Sequence, residues 1–326
     1  MNPGIVGYGA EFKWAPSKIS LFDFPDNINV LLEEQFRKKF IEEALKSNGS
    51  FRILAKNIIN PKTQKQLYHS TVCRWYSGKN YTTTRKYQNY IPMWAIRKLY
   101  DLTDFNYTEI ERNVVAYRGK SGLSVKNPVL PIVESPELFN IVGHLIADGC
   151  ATPKPHSASY DNNELGLIQT FKENVRKVFG DIELSESTNK ETIKVGVISP
   201  IRVILWKMFP EIQNKSAQNV VPNRIIFSPV AYKVAFLKAI MDDEGTVGYG
   251  KYSQLKVYSD SKLFLEQLKE MFHNIEIKTG VISISTRTVT PNYCFTILKE
   301  SWEIYLNKIG FDHKLKRKEL QKKALL

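Results

Sequence analysis

The first third of the chain alternates apolar and charged residues with the period of helices. In the segment 31–45 (LLEEQFRKKFIEEAL), charged residues separate the apolar residues Leu32, Phe36 and Phe40, as on one face of a helix. Glycine, proline and serine residues between such segments end one helix and begin the next. The predicted helices cover residues 31–45, 51–59, 70–79 and 92–102. We therefore expect a small all-α domain over residues 31–105, between a leader at 1–30 and a linker at 106–134.

Residues 135–326 show a different pattern, in which short strand-like segments alternate with longer helical ones. Two nine-residue segments in this part are alike. Residues 141–149 (IVGHLIADG) and 237–245 (LKAIMDDEG) each predict an apolar helix that ends in an acid and a glycine. The two acids, Asp148 and Glu244, are 96 residues apart, and later landmarks recur at similar offsets. This spacing predicts an internal duplication, with halves at about 135–225 and 226–326.

The positive charge of the chain is concentrated in one place. The sequence of 326 residues carries 46 Lys and Arg against 33 Asp and Glu, a formal charge of +13. Ten of the basic residues and none of the acidic ones lie in residues 51–100. A basic block of this size favours a polyanionic partner, with nucleic acid before an acidic membrane surface. Since no basic amphipathic helix with a wide apolar face stands out, we expect double-stranded DNA as the partner and no membrane.

Other features of the composition exclude several classes of protein. No segment approaches the ~18 consecutive apolar residues that span a bilayer, and no signal sequence opens the chain. Cys73, Cys150 and Cys294 are an odd and widely spaced set, so we expect neither a disulfide framework nor a cysteine-based zinc site. We expect a soluble intracellular protein, cytoplasmic and associated with the nucleoid.

Short helices followed by a basic segment that begins with serine and threonine are typical of a helix-turn-helix domain. On that interpretation residues 70–79 form the recognition helix. The ten residues 60–69 are long for the tight turn of the motif, so a plain helical bundle with a basic surface stays open as the alternative. The candidate DNA contacts of this domain are Ser70, Thr71, Arg74, Lys79, Arg85 and Lys86.

The two nonapeptides resemble the LAGLIDADG motif of homing endonucleases, and the resemblance covers about residues 135–320. The segment 221–241 resembles the approach to the second motif in intein-type members, and 309–314 also resembles the family. The resemblance implies an α+β fold in which two αββαββα halves form a saddle of two antiparallel sheets around paired motif helices. It also implies a site-specific double-stranded DNA endonuclease that uses Mg²⁺ and acts as a monomer with pseudo-two-fold symmetry.

In the family, the eighth motif position supplies a metal-binding acid, which corresponds here to Asp148 and Glu244. A family lysine near the end of each half, which activates or orients water, corresponds to Lys215 and Lys316, with Lys314 nearly as good a candidate in the second half. The residue types agree with this chemistry, because Mg²⁺ prefers carboxylates and water, and bound divalent ions help to produce the attacking nucleophile. Small residues allow the motif helices to pack closely, and the candidates for that interface are Gly143, Ala147 and Ala239.

The second motif departs from the family pattern at two positions. Asp243 stands where a small residue is usual, so its carboxylate is either desolvated at a cost or turned toward the metals as a further ligand beside Glu244. Glu244 is one methylene longer than aspartate, for which we expect slow cleavage or a bias toward nicking. The glycines that follow the acids, Gly149 and Gly245, are expected to leave the helices in the left-handed conformation.

The strands of each half are expected to line the major groove, with alternate residues facing the DNA. An alternative function is a DNA-binding regulator or RNA-processing factor that uses the same fold without cleavage. Asp243 and Glu244 in the second motif favour it, together with the helix-turn-helix-like domain. The candidate contacts of the strands and of the basic C-terminal segment are Lys154, Lys190, Lys194, Lys251, Lys256, Arg287 and Lys314.

Overall fold

The computed structural model of the protein describes residues 15–78, 89–120, 122–151, 158–214, 216–248, 254–285 and 292–324. Within these ranges helices are combined with antiparallel sheets, so the predicted α+β class is confirmed. In chain order, the part before residue 135 contains β1 (Lys18–Ile19), β2 (Asn29–Leu32), α1 (Glu34–Asn48), α2 (Phe51–Asn57), α3 (His69–Ser77), β3 (Ile91–Pro92), α4 (Met93–Tyr100), α5 (Tyr107–Arg112), β4 (Val114–Arg118), β5 (Ser124–Lys126) and β6 (Ile132–Val133).

The N-terminal part is not all-helical, contrary to the prediction. Strands β3, β2, β4 and β5 form a four-stranded antiparallel sheet in that order, and β1 pairs with β6. Two strands of the sheet come from residues 106–134, so this segment is structural and is not merely a linker. Residues 31 and 32 belong to β2, and α1 begins only at Glu34. Periodicity could not show this, because β2 acquires its strand partner β4 more than eighty residues later in the chain.

The turn between α2 and α3 also differs from that of a tight helix-turn-helix. Residues 58–68 form a compact loop, in which an isolated bridge joins Ile59 to Gln66. The backbone N–H of Asn60 donates to the carbonyl of Lys65 at 2.9 Å, which closes the loop. Helix α3 packs on α2 and buries Val72 and Trp75. The loop is therefore a folded insertion between two packed helices.

The remaining part of the chain contains two copies of one arrangement. Its elements are α6 (Pro136–Ile146), β7 (Gly149–Cys150), β8 (Ala158–Asn162), α7 (Leu165–Phe179), β9 (Ser185–Asn189), β10 (Thr192–Val197), α8 (Ser199–Met208), α9 (Asn223–Ile226), α10 (Val230–Glu244), β11 (Gly245–Val247), β12 (Leu255–Ser259), α11 (Lys262–His273), β13 (Ser283–Ser285), β14 (Asn292–Ile297), α12 (Trp302–Lys308) and α13 (Lys314–Ala324). The run from α6 to α8 reads αββαββα, and the run from α10 to α12 repeats it. The two sheets have matching strand orders, β7-β8-β10-β9 and β11-β12-β14-β13. The predicted duplicated αββαββα fold is therefore confirmed.

The two motif helices, α6 and α10, pack directly against each other. A Cβ atom added to Gly143 would lie 2.7 Å from the Cβ of Ala239 and 3.0 Å from the backbone oxygen of Phe236. Such close approach requires a glycine on one helix and a small residue on the other. Ala147 lies at the C-terminal cap of α6 and is only partly buried against the core. The interface therefore depends on Gly143 and Ala239, with Ala147 at its margin.

The glycines after the two acids do not adopt the expected left-handed conformation. Gly149 and Gly245 are the first residues of β7 and β11, and Gly245 has φ −75° and ψ 140°. A side chain at Gly149 would lie 2.5 Å from the Cα of Leu145, and one at Gly245 would lie 2.3 Å from the carbonyl oxygen of Met241. These positions need glycine because each strand leaves the helix end so closely that no Cβ fits.

The N-terminal part is attached to the repeated part by buried and surface contacts. The side chain of Glu134 is fully buried and accepts hydrogen bonds from Arg224 and from the backbone N–H of Ser17, the latter at 2.8 Å. On the surface, Lys207 of α8 forms an ion pair with Asp23 at 3.1 Å. No helix within the described ranges combines the length and the apolar character needed to cross a lipid bilayer.

We expect Gly143→Ala to destabilise the protein by about 1–3 kcal/mol, because the added methyl group overpacks the contact with Ala239. Urea denaturation measures this change. The control is Gly166→Ala in α7, where the added Cβ would meet only the end of the Glu164 side chain, at 3.3 Å. That change should be neutral or stabilising by up to about 1 kcal/mol, since alanine favours helices over glycine. Equal losses for the two variants would contradict the packing described for the helix pair.

Candidate active site

The acids at the ends of the motif helices form the centre of the candidate site. Helix α6 ends at Ile146, two residues before Asp148, and Glu244 is the last residue of α10. Because the two helices pack against each other, their C-terminal ends bring both carboxylates to one region. Asp148 keeps access to solvent, and Glu244 is half-buried. The site is therefore an open concentration of negative charge at the ends of the helix pair.

Both carboxylates have raised pKa values. Desolvation by the surrounding protein, followed by repulsion from Asp243, raises the pKa of Asp148 to about 6. Desolvation, followed by repulsion from Asp148 and Asp243, raises the pKa of Glu244 to about 7. Since Asp148 retains contact with water, screening reduces the rise of its pKa. A bound cation beside these groups would lower both pKa values, because it would offset the repulsion that adds to the effect of desolvation.

Asp243 is held inside the helix pair by three neighbours. Its side chain is fully buried and lies 2.8 Å from Nδ1 of His144, which is equally buried. The hydroxyl of Tyr160 donates to its Oδ1 at 2.7 Å, and the amide of Asn162 donates to the same oxygen at 3.3 Å. Both carboxylate oxygens are thus engaged, so Asp243 is not free to act as the additional metal ligand. Of the two predicted alternatives, Asp243 is therefore the buried, desolvated carboxylate, and His144 compensates its charge.

His144 is the partner that makes a buried carboxylate tolerable. Burial disfavours the imidazolium, but the attraction and hydrogen bond of Asp243 outweigh it, so the pKa of His144 is raised. The imidazole also packs against the rings of Tyr160 and Phe171, with centroid distances of 4.6 Å and 6.1 Å. Removing one partner of such a buried pair commonly costs about 3–5 kcal/mol. His144 therefore stabilises the packed helices, and its contacts with described residues are those of a buried structural partner.

Lys316 reaches the acidic site from α13. Its Nζ donates to the backbone carbonyls of Asp242 and Asp243 at 2.5 Å and 3.2 Å, at the C-terminal end of α10. Burial lowers the pKa of Lys316, and the surrounding carboxylates, including Asp148 and Glu244, oppose that shift. A cation here also suits the negative end of the helix dipole. Between the two candidate lysines of the second half, the structure brings Lys316 to the acids and leaves Lys314 exposed on the outer side.

Asp242 positions the helix that carries Lys316. Its buried Oδ1 accepts hydrogen bonds from the backbone N–H groups of Asp312 and His313, both at 2.9 Å. Those two residues directly precede α13. Burial raises the pKa of Asp242 to about 7, although the bond from His313 opposes the shift. The carboxylate thus joins the end of α10 to the start of α13.

Several of the predicted residues fall outside the described ranges or lie away from the acids. Lys194 lies on the exposed side of β10 and pairs with Asp161 at 3.1 Å, Lys190 lies exposed at the turn before β10, and Lys256 lies half-exposed on β12. Ser70 and Arg74 are exposed on α3, and Arg74 donates to Thr71 Oγ1 at 3.2 Å. The predicted residues outside the described ranges are Lys79, Arg85, Lys86, Lys154, Lys215, Lys251 and Arg287.

Sequence reasoning missed Tyr160, Asn162 and the role of Asp242. Tyr160 and Asn162 are alternate residues of β8, and nothing in their spacing from the motifs indicates that they face Asp243. Their contact follows from the position of β8 under the helix pair, which only the folded chain shows. The one feature of the sequence that indicated such contacts was Asp243, because an acid at a helix-packing position requires buried hydrogen-bond donors.

The two carboxylates fit a divalent cation that is bound jointly by the protein and by a substrate. Within the described residues, no three His, Cys, Asp or Glu side chains are arranged to hold a metal by themselves. Mg²⁺, however, is commonly bound by one or two carboxylates together with substrate phosphates and water. Asp148 and Glu244 are two such carboxylates, and their repulsion is of the kind that a bound cation removes.

No family model matches the chain. Among curated proteins, the chain is 24% identical over 232 residues to the glutamine–fructose-6-phosphate aminotransferase of Methanocaldococcus jannaschii. This match covers 69% of the chain and 20% of the aminotransferase. It is 26% identical over 192 residues to the replicative DNA helicase DnaB of Synechocystis sp., which covers 54% of this chain and 22% of the helicase. The chain thus spans about a fifth of the length of the curated relatives it matches.

Among solved structures, the chain is similar to the homing endonuclease I-DmoI in complex with DNA and Ca, with 12% identity, a TM-score of 0.39, and coverage of 53% of this chain and 88% of that one. It is also similar to full-length WhiA from Thermotoga maritima, with 16% identity, a TM-score of 0.39, and coverage of 58% and 60%. The N-terminal LAGLIDADG domain of WhiA gives 15% identity and a TM-score of 0.37. Likenesses at this level do not establish an activity for this chain.

The raised pKa of Glu244 predicts how stability changes with pH in the absence of divalent metal. A carboxyl group whose folded-state pKa, about 7, exceeds its ordinary value of 4.5 contributes stability below pH 4.5 that is lost as the pH rises through 7. Glu244→Gln removes this dependence, so the variant should be more stable than the parent by roughly 1–3 kcal/mol at pH 8 and by little near pH 4. Chemical denaturation at both pH values measures the difference.

The matched control for this experiment is Glu191→Gln, which removes an exposed carboxylate in the turn between β9 and β10. It should leave the stability difference near zero at both pH values. If Glu244→Gln proved no more stable than the parent at pH 8, the repulsion assigned to the helix ends would be wrong.

Proposed function

We propose that the protein binds double-stranded DNA and hydrolyses its phosphodiester backbone with the help of Mg²⁺ held by Asp148 and Glu244. The observation that carries the proposal is the meeting of these acids at the ends of paired helices, with Lys316 beside them. A structural purpose does not account for this arrangement, because burial and the neighbouring carboxylates raise the pKa values of both acids. Groups held at such a cost in a solvent-accessible position are typical of functional sites.

Each group has a defined task in the proposed reaction. Bound Mg²⁺ supplies charge neutralisation at the phosphate and lowers the pKa of water. Asp148 and Glu244 must be ionised to hold the cation, so activity should increase as the pH rises through their pKa values. Lys316 lies within the field of both carboxylates and is fixed by the end of α10, where its ammonium group orients attacking water and offsets negative charge.

The outward face of α13 supports binding to the DNA backbone. Lys314, Lys318 and Lys322 lie four residues apart on one exposed side of the helix, and within the described residues none of them forms an ion pair. They span about 12 Å along the helix axis, which matches roughly three to four phosphates of one DNA strand. The opposite face carries Lys316 to the acids and buries Leu320. The helix thus joins a phosphate-binding surface to the candidate active site.

The two curated matches are consistent with a segment that occurs in proteins of different activity. An aminotransferase and a DNA helicase have different named activities, yet the chain matches about a fifth of each. A segment shared by such different proteins is not expected to perform either activity. The matches therefore favour an independent function for this chain.

The second candidate function is DNA binding without cleavage. The observation that favours it is that Lys316 is bonded to the carbonyls of Asp242 and Asp243, where it also serves as a helix cap. On this proposal Mg²⁺ would leave the melting temperature of the protein–DNA complex and its affinity unchanged, whereas a metal-dependent nuclease binds and is stabilised by the ion.

The cleavage assay uses duplexes selected from a random pool by binding to the parent protein. We expect the parent to cut them in the presence of Mg²⁺ and not in the presence of EDTA. Asp148→Asn and Glu244→Gln should each slow cleavage by about a hundredfold or more, because a lost metal ligand removes several kcal/mol of transition-state stabilisation. Labelled strands separated on denaturing gels give the rates.

Glu191→Gln is again the control, and it should cut at the parental rate. Cleavage at equal rates by the parent, Asp148→Asn and Glu244→Gln would rule out the proposed catalytic site. Tight binding without cleavage by the parent, together with no effect of Mg²⁺ on affinity, would support the binding-only candidate instead.

The role of α13 predicts a change in the salt dependence of DNA binding. The triple variant Lys314→Gln, Lys318→Gln and Lys322→Gln should make the slope of log affinity against log salt concentration shallower by about 2.7, at about 0.9 for each phosphate contact. Fluorescence anisotropy at several salt concentrations measures the slope.

The control triple removes the same charge from lysines that are exposed but paired with glutamates: Lys46→Gln, Lys262→Gln and Lys278→Gln. The slope of log affinity against log salt concentration should change by less than about 0.9, the value for one phosphate contact. Equal changes for both triples would show that net charge alone governs binding and that α13 has no particular role.

A further inference from the structure

The two acids of the site are held in different ways. The side-chain amide of Asn162 donates to Oδ2 of Asp148 at 3.1 Å. The amide oxygen of Asn162 in turn accepts a hydrogen bond from the backbone N–H of Glu164 at 2.9 Å, which fixes which end of the amide points at the acid. Asp148 therefore has a donor whose own orientation is determined by the backbone.

The donor is fixed further by the other half of the molecule. The amide nitrogen of Asn162 also lies 3.3 Å from Oδ1 of Asp243, which belongs to α10. Asp243 is itself held by His144 of α6 and by Tyr160 of β8, at 2.8 Å and 2.7 Å. The acid of the first half is therefore oriented through a buried residue of the second half.

The second half contains no equivalent contact among the described residues. Ser259 ends β12 as Asn162 ends β8, and each lies on a strand that pairs with the last strand of its half, β14 and β10 respectively. The hydroxyl of Ser259 accepts a hydrogen bond from the backbone N–H of Ser261 at 3.1 Å, which is a local turn. Within the described ranges no hydrogen-bond donor reaches the carboxylate of Glu244, and its side chain has one more rotatable bond than aspartate has.

We propose that Asn162, supported by Asp243, is a positioning residue that orients Asp148 before metal and DNA arrive, whereas Glu244 becomes ordered only with them. The consequence rests on the proposed nuclease function: the two DNA strands are cut at unequal rates, and a nicked intermediate accumulates. Asp243, which occupies an unusual place in the second motif, gains a function on this account. It couples the acid of one half to the helix of the other.

The test is Asn162→Ala, with Ser259→Ala as the matched control at the corresponding strand end. Two readouts are needed. The first is the rate of cutting of each strand of a duplex labelled at both 5′ ends. The second is the conformation of Asp148 in metal-free crystals of the parent and of the variant, which does not depend on cleavage.

Asn162→Ala should slow the strand that Asp148→Asn slows most, by about ten- to a hundredfold, as is common when a residue supporting a metal ligand is lost. The other strand should change by less than about threefold, so the nicked product increases. In crystals, Asp148 should be ordered in the parent and spread over more than one rotamer in the variant. Ser259→Ala should match the parent in both readouts.

A general loss of folded protein would slow both strands together, so equal slowing of the two strands overturns the proposal. An Asp148 side chain equally ordered in the parent and in Asn162→Ala also overturns it. If the parent cuts neither strand, the nuclease function fails, and the crystallographic comparison then still decides whether Asn162 positions Asp148.

Discussion

The structure depends on the close contact between α6 and α10. Gly143 on one helix and Ala239 on the other allow the two backbones to approach until a Cβ on Gly143 would have no room. Because the helices meet so closely, their C-terminal ends converge, and Asp148 and Glu244 are brought into each other's field. The two sheets then flank the helix pair with matching strand orders. A bulkier residue at this contact would separate the acids as well as loosen the core.

Convergence of the helix ends creates an electrostatic problem that the surrounding residues only partly solve. Four carboxylates, from Asp148, Asp242, Asp243 and Glu244, lie in one region. The buried ones have specific partners: His144 compensates Asp243, and backbone N–H groups at the start of α13 bind Asp242. Asp148, Asp242 and Glu244 all have raised pKa values, but of these only Asp148 and Glu244 have access to solvent. The two acids that solvent can reach are therefore the ones available to a cation.

The repeated part could be predicted from the sequence to a useful degree, because its signals are local or periodic. Two similar nonapeptides and their spacing predicted the duplicated αββαββα arrangement, which the element order confirms. The N-terminal sheet could not be predicted in the same way, since β2 is short and pairs with β4, far away in the sequence. The prediction of a left-handed conformation for Gly149 and Gly245 was wrong for a related reason. Both residues start strands, and glycine is required there because the backbone passes too close to the helix end for a Cβ atom.

The same distinction applies to the site. The positions of the two acids at helix ends could be predicted because the motif fixes them there. Which of Lys314 and Lys316 lies near the acids follows only from which face of α13 turns inward. Asn162 and Tyr160 were missed because their contact with Asp243 depends on how β8 lies beneath the helices.

The central claim is that Asp148 and Glu244 jointly hold the metal that serves DNA cleavage. The most direct test is the anomalous scattering of Mn²⁺ in crystals of the protein bound to DNA that was selected from a random pool. We expect an anomalous peak within about 2.5 Å of an oxygen of each carboxylate, with further ligands from a DNA phosphate and water. Mn²⁺ bound elsewhere, with both carboxylates empty beside an ordered phosphate backbone, would contradict the account.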